Sequence, residues 1–180
     1  MALSANAMIT VADLGLYTSG SIPGGVAPNT VQKEALIEAA SDYIRSYCDR
    51  DFMKQAYTEY YRPGGQRLTL NHYPVVSITS ITIDGTSVET SDYTLIDAKK
   101  GIIEFDYYLD DDDLSEVYVS YTAGYSISPA TGEYGLPQDL KYACTVKVNE
   151  LIAKASGRYR PEAEGTNVTD QILDRYREYE

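Results

Sequence analysis

The sequence predicts an α+β fold: a helix pair with a small antiparallel β-sheet module inserted between the helices, and extended N- and C-terminal segments. Three observations predict it. Apolar residues recur at three- and four-residue steps over 31–50, they do so again over 137–156, and between 56 and 125 the pattern alternates instead. The domain plan that follows is an N-terminal arm with a Gly/Pro-rich loop (1–30), a central body (31–157) and a C-terminal tail with a short helix (158–180).

Taken in order, residues 18–30 are dense in Gly, Pro and Ser and read as a loop after a short N-terminal element. Asn29 is placed to cap the first long helix, with Gln32 completing a capping box. Leu36, Ile37, Ala40, Tyr43, Ile44, Tyr47 and Cys48 form its apolar stripe, and Lys33, Glu34, Glu38, Asp42 and Arg45 its wet face. The β-module begins with a tyrosine-rich strand from Ala56 to Arg62 and a Pro63-Gly-Gly65 turn. It closes on Val117–Tyr125, where Val117, Val119, Tyr121 and Ala123 share a face. Between these, Val76 and Ile78 have one parity and Ile81 and Ile83 the other, which predicts a bulge or break at Thr79-Ser80; Asp84-Gly85 is a hairpin signal. Pro137 and Asp139 suit the first turn of the second helix, whose stripe is Leu140, Cys144, Val148, Leu151, Ile152 and Ala155. Lys154, Arg158 and Gly157 suit its end. Val168, Ile172, Leu173 and Tyr176 make a short apolar stripe in the tail, which must dock on its own body, dock on another chain, or fray.

The totals exclude several classes of function. A chain of 180 residues buries about 70% of its unfolded surface, enough for one domain without a covalent staple. Its 15 Lys and Arg against 27 Asp and Glu give a formal charge of −12, which disfavours gripping nucleic acid. No apolar run approaches the roughly 20 residues of a membrane span, and the first residues lack the basic start and long apolar core of a signal peptide, so a soluble protein made inside the cell is expected. Cys48 and Cys144 have no metal-ligand spacing and read as small buried hydrophobes. The aromatic usage is lopsided, with 18 Tyr, 2 Phe and no Trp, which suits half-buried strands and wet interfaces.

Candidate chemistry is sparse. His72, Ser77 and Asp84 contain the residue types of a serine nucleophile set, but His72 and Ser77 differ by an odd number along one strand and face opposite ways. No catalytic residue and no cofactor site is assigned. Asp110, Asp111, Asp112 and Asp113 are hard oxygen ligands of a kind Ca²⁺ accepts, yet they lack EF-hand spacing and read as a solvated hairpin loop. A sugar- or ion-binding β-module is the alternative that the acidic and tyrosine-rich composition leaves open.

Three phrases carry a family resemblance: Ala39-Ala-Ser-Asp-Tyr-Ile-Arg-Ser-Tyr-Cys-Asp-Arg-Asp-Phe52, Leu70 through Gly85, and Tyr118-Val-Ser-Tyr-Thr-Ala-Gly-Tyr125 followed by Leu136-Pro-Gln-Asp-Leu-Lys-Tyr-Ala143. In order and spacing over 31–157 the chain resembles the head-to-tail connector, or adaptor, proteins of tailed bacteriophages. It departs from that pattern in residues 18–28 and matches no family motif in its last twenty residues. The resemblance implies a structural protein of the virion neck, made in the bacterial cytoplasm and without catalytic activity. It also implies a cyclic ring of about twelve copies that joins the portal to a downstream tail-completion, stopper or tail protein. DNA passes such a ring without sequence-specific binding, and no membrane is involved. A tail-completion or stopper protein is the neighbouring alternative. For contacts with the portal or a neighbouring copy, the expected residues are Arg158, Tyr159, Arg160, Ile172, Leu173 and Tyr176.

Overall fold

A computed structural model of the chain describes residues 3–17, 28–62, 64–109, 116–155 and 168–177. These form two units, one of residues 1–53 with 136–180 and one of residues 54–135. The first is helical and the second is β; the fold is α+β, as the periodicities predict.

In the helical unit, α1 (Val11–Tyr17), α2 (Thr30–Cys48), α3 (Gln138–Ala155) and α4 (Val168–Leu173) follow in chain order. α2 begins where predicted. Asn29 Oδ1 accepts the Gln32 N–H and Gln32 Oε1 accepts the Asn29 N–H, both at 2.9 Å, so two otherwise orphaned donors are satisfied. The helix ends at Asp49, whose left-handed backbone (φ 51°) lets its N–H close back on the Arg45 carbonyl. Ile37, Ala40, Ser41, Ile44 and Cys48 are its buried face, and α3 answers with Leu140, Ala143, Cys144, Thr145, Lys147 and Val148. Small residues on both sides let these helices meet closely; Ser41 Oγ lies 3.8 Å from Cys144 Sγ. Both cysteines are free and fully buried, and burial raises their thiols to about 11 for Cys48 and about 12 for Cys144. Pro137 sits one residue earlier than the helix boundary, with its carbonyl accepting the Lys141 N–H.

The termini differ from the predicted extended segments. Ala7, Met8, Ile9 and Leu14 are core residues, and the Met8 N–H donates to Ser41 Oγ at 3.1 Å. α1 has its own capping box, in which Thr10 and Asp13 exchange hydrogen bonds of 2.9 and 3.1 Å. At the other end Leu173 is fully buried in the helical unit, so the described part of the tail docks on its own chain. The predicted loop at 18–27 and the helix stop at Gly157 fall outside the described residues.

The β unit contains three sheets. A four-stranded sheet has the order β1 (Gln55–Tyr61), β7 (Val117–Ala123), β3 (Val75–Ile83), β4 (Thr86–Ser87), and a three-stranded sheet has the order β2 (Gly65–Thr69), β6 (Ile102–Leu109), β5 (Tyr93–Asp97). The third, β8 (Tyr125–Ser126) with β9 (Tyr134–Gly135), is a short parallel pair, where the alternation predicts an all-antiparallel module. One apolar cluster joins both larger sheets: Leu68, Ile103, Phe105 and Leu109 from one, and Val75, Ile81, Val117, Val119, Tyr121 and Ala123 from the other, with Leu70 beside them. Each Val, Leu, Ile and Phe side chain among them contributes roughly 1.5–3 kcal/mol by leaving water.

The parity switch is a bulge. β3 runs from Val75 to Ile83 without a break, but its pairing with β7 slips by one residue between Val75 and Ser77 and again between Ile78 and Ser80. The second slip allows Ile78 and Ile81, with odd spacing, both to meet the core side, and the first does the same for Val75 and Ile78. The Asp84-Gly85 turn is the predicted hairpin; both residues have positive φ (51° and 78°), and Ile83 pairs with Thr86 across it. β6 and β7 belong to different sheets and do not pair with each other, so the hairpin expected around Asp110–Asp113 is not formed by these two strands. The four aspartates lie outside the described residues.

Gly101 closes the β5–β6 turn with φ 68°, and a Cβ added there would stand 3.2 Å from Leu70 Cβ and 3.3 Å from the Leu70 carbonyl oxygen. Gly101→Ala is therefore expected to cost about 1–2 kcal/mol from backbone strain alone. Urea unfolding measures it; an unshifted midpoint contradicts this account of the turn.

Candidate functional site

His72 follows β2 and precedes the cis Tyr73–Pro74 peptide that leads into β3. Alternation brings Tyr57, Glu59 and Tyr61 of β1 to the inner side of the sheet, and the β1–β7 register sets Tyr57 opposite Tyr121. Tyr121 donates to Glu59 Oε2 at 2.5 Å, and Tyr61 donates to the same oxygen. Each phenol has one proton, so the 3.5 Å gap between the two hydroxyl oxygens is a contact between acceptors. Those oxygens in turn accept backbone N–H groups, Tyr121 from His72 at 3.1 Å and Tyr61 from Asn71 at 3.0 Å. His72 Nδ1 stands 3.5 Å from Glu59 Oε1, and its ring packs edge-on to Tyr57 at 3.7 Å between centroids. Burial first, and then the Glu59 carboxylate, push the Tyr61 phenol up to about 12 and the Tyr121 phenol higher still.

This arrangement fixes a chain reversal. Two phenols carry a carboxylate on one side and hold the 71–72 backbone on the other. Ser77 is exposed in β3 and pairs with Thr122, and Asp84 lies seven residues further along the strand direction, roughly 20 Å away. Asp84 Oδ1 accepts the Glu116 N–H at 2.7 Å, closing its own turn. His72, Ser77 and Asp84 are thus not brought together, but the reason is position and not parity, since His72 precedes β3 and a register slip falls between Val75 and Ser77.

The helical unit holds a second tyrosine–carboxylate set. Tyr43 donates to Asp170 at 3.0 Å and Tyr47 to Asp174 at 2.7 Å, tying α2 to α4 and the turn after it. Tyr176 donates to Asp139 of α3, with its hydroxyl 2.7 and 2.8 Å from the two carboxylate oxygens, and its ring meets Phe52 edge-on at 6.0 Å. Lys147 Nζ lies 3.5 Å over the Tyr43 ring centroid and 3.1 Å from Glu150 Oε2. Among the residues expected to contact a partner, Leu173 is wholly buried in its own chain, Ile172 and Tyr176 are half-buried, and Arg158, Tyr159 and Arg160 lie outside the described residues.

The hydrogen bond to Asp174 chiefly, with some desolvation, pushes the Tyr47 phenol up to about 12, and burial with Asp170 raises Tyr43 too. A phenol raised in the folded chain contributes fully below its unfolded value near 10, and that contribution falls away as pH climbs from about 10 to about 12. Amide exchange at 168–176 is expected to lose protection across that window. Tyr47→Phe should flatten the loss; protection that does not change between pH 9 and 12 overturns the assignment.

The outer face of the four-stranded sheet has a different character. Its cross-strand rows are Tyr60, Tyr118, Thr82; Thr58, Ser120, Ser80; and Ala56, Thr122, Ser77. None is charged. Tyr60 and Tyr118 are 44% and 42% exposed with rings 5.5 Å apart, and the Thr58 and Ser120 hydroxyls bond at 2.9 Å.

Fold and surface together define an α+β packing subunit, with its distinctive chemistry in tyrosine hydroxyls that join backbone, carboxylate and exposed sheet. The chain belongs to the head completion protein family, whose model matches residues 9–174. No curated protein matches the sequence. The fold is similar to a chain of the virion of a native gene transfer agent particle (TM-score 0.66, 16% identity, covering 100% of this chain and 94% of that one). It is similar also to a chain in the neck of an empty gene transfer agent particle computed with C6 symmetry (0.65, 16%, 100% and 94%). A third is in the neck of a native particle computed with C12 symmetry (0.60, 17%, 100% and 93%).

Proposed function

We propose that the chain is the repeating subunit of a neck ring, about twelve copies in cyclic symmetry, that joins the portal of a phage-like particle to its tail. The observation that carries this is the head completion match over residues 9–174, nearly the whole chain. Neck chains of particles computed with C6 and C12 symmetry share the fold and support the ring. The role is mechanical, not catalytic. A helix pair with a β-module inserted in the chain between its members offers separate surfaces for neighbour, portal and tail.

The C-terminal segment carries the portal contact in this reading. Leu173 anchors it to the helical unit, while Ile172, Tyr176 and the Arg158-Tyr159-Arg160 run supply the contact itself. The charge of −12 serves the channel, because an acidic wall repels phosphate and lets DNA slide without sticking. Electron microscopy of the protein mixed with its portal tests the reading, with an added ring that follows the portal's symmetry as the expected result. A portal that stays bare overturns it. Truncation after Gly157 separately tests the tail, and undiminished portal binding removes it as the anchor.

A further inference from the structure

We infer that the outer face of the four-stranded sheet, centred on Tyr60 and Tyr118, is the surface through which one copy of this chain docks on the next. The inference rests on the ring reading above and names the surface that the ring uses. A protein surface of ten or so residues ordinarily carries about three charges. The nine cross-strand positions carry none, in a chain with 42 charged residues among 180 and a net charge of −12. Two copies of such a chain repel each other wherever their acidic surfaces meet. The hydroxyl and phenol face is a place where they approach without that penalty, so its neutrality matches a second copy better than a basic partner.

Composition points the same way. Interface cores are depleted in charge and enriched in tyrosine, whose ring gives area at low entropy cost while its hydroxyl tolerates water. On this face the Thr58 and Ser120 hydroxyls are already paired laterally, the exposed Tyr60 and Tyr118 rings lie 5.5 Å apart, and the Tyr118 hydroxyl reaches Glu116 at the edge of the face. A stable interface takes about 20–30 residues a side, so these nine form its centre and neighbouring residues its rim. In a closed ring the contact is heterologous: this face meets a different surface of the neighbouring copy.

The test uses the full chain and two variants, the double substitution Tyr60→Glu with Tyr118→Glu and the single substitution Thr58→Lys. Sedimentation and negative-stain microscopy over a concentration series, alone and with the portal, measure assembly; thermal unfolding shows that each variant folds. The wild-type chain is expected to form rings, and each variant to need about tenfold or more higher concentration, since a buried unpaired charge costs more than one decade of affinity. Rings that form equally well in both variants overturn the face and leave the ring reading intact. A wild-type chain that stays monomeric, even on the portal, overturns both. Protection of Tyr60 and Tyr118 from nitration by a chito-oligosaccharide, and not by self-assembly, assigns the face to glycan and overturns the inference.

Discussion

Leu173→Ala is expected to release α4 from the helical unit and to remove about 2–5 kcal/mol of docking energy. The side chain is fully buried, and its own carbonyl lies 3.7 Å from Cys48 Sγ of α2. A helix of six residues has no stability of its own in water, so the docked state depends on this side chain and on the Tyr43, Tyr47 and Tyr176 hydrogen bonds. The leucine supplies the apolar burial, and the three phenol–carboxylate bonds add direction to the docking. Amide exchange at 168–176, read beside exchange in α2, measures the release. Equal loss of protection in both would instead make α4 part of one cooperative unit, and undiminished protection at 168–176 would sink the prediction. The outcome bears on the portal contact proposed above, because a tail segment with that role would have to be held in place.

Tyr121→Phe is expected to cost about 1–3 kcal/mol while leaving the shape of the core unchanged. The ring stays, packed against Tyr57 at 5.6 Å between centroids, and only the oxygen is lost. That oxygen donates to Glu59 and accepts the His72 N–H. Without it the His72 N–H at the entrance to β3 loses the Tyr121 oxygen, and Glu59 keeps only Tyr61 and the neighbouring His72 ring among these partners. Tyr61→Phe should cost less, since Tyr61 is half-buried where Tyr121 is fully buried. Urea unfolding of the two variants ranks them; a Tyr121→Phe midpoint equal to wild type would show that water replaces the phenol at no cost.

Local signals are legible in the sequence because they depend on neighbours along the chain. The Asn29–Gln32 capping box, the inward row Val117, Val119, Tyr121 and Ala123, and the Asp84-Gly85 turn each rest on a few adjacent residues with one low-energy arrangement. The parity change at Thr79-Ser80 is equally local, and it appears as a register slip. The α1 capping box is also written in the sequence, as Thr10 and Asp13, but it precedes only seven helical residues, too few for a period to stand out. His72 is recognisable as scaffold from its neighbours, while its partners are not. Glu59 and Tyr121 lie 13 and 49 positions away, and only the β1–β7 pairing carries them to it.

Sequence alone determined the two long helices, the alternating segment between them, the buried cysteines and the resemblance to connectors of tailed phages, all consequences of short-range periodicity and composition. Tertiary structure decided what those elements do to one another. It sent β6 and β7 into different sheets, brought described residues near both ends of the chain back onto α2, and gathered tyrosines from two strands into one uncharged face and one carboxylate cluster. The physical reason is the same in each case. An apolar stripe states that a segment must be covered, and alternation states which side, but the identity of the cover is chosen by the whole chain when it finds the pairing that satisfies every stripe together.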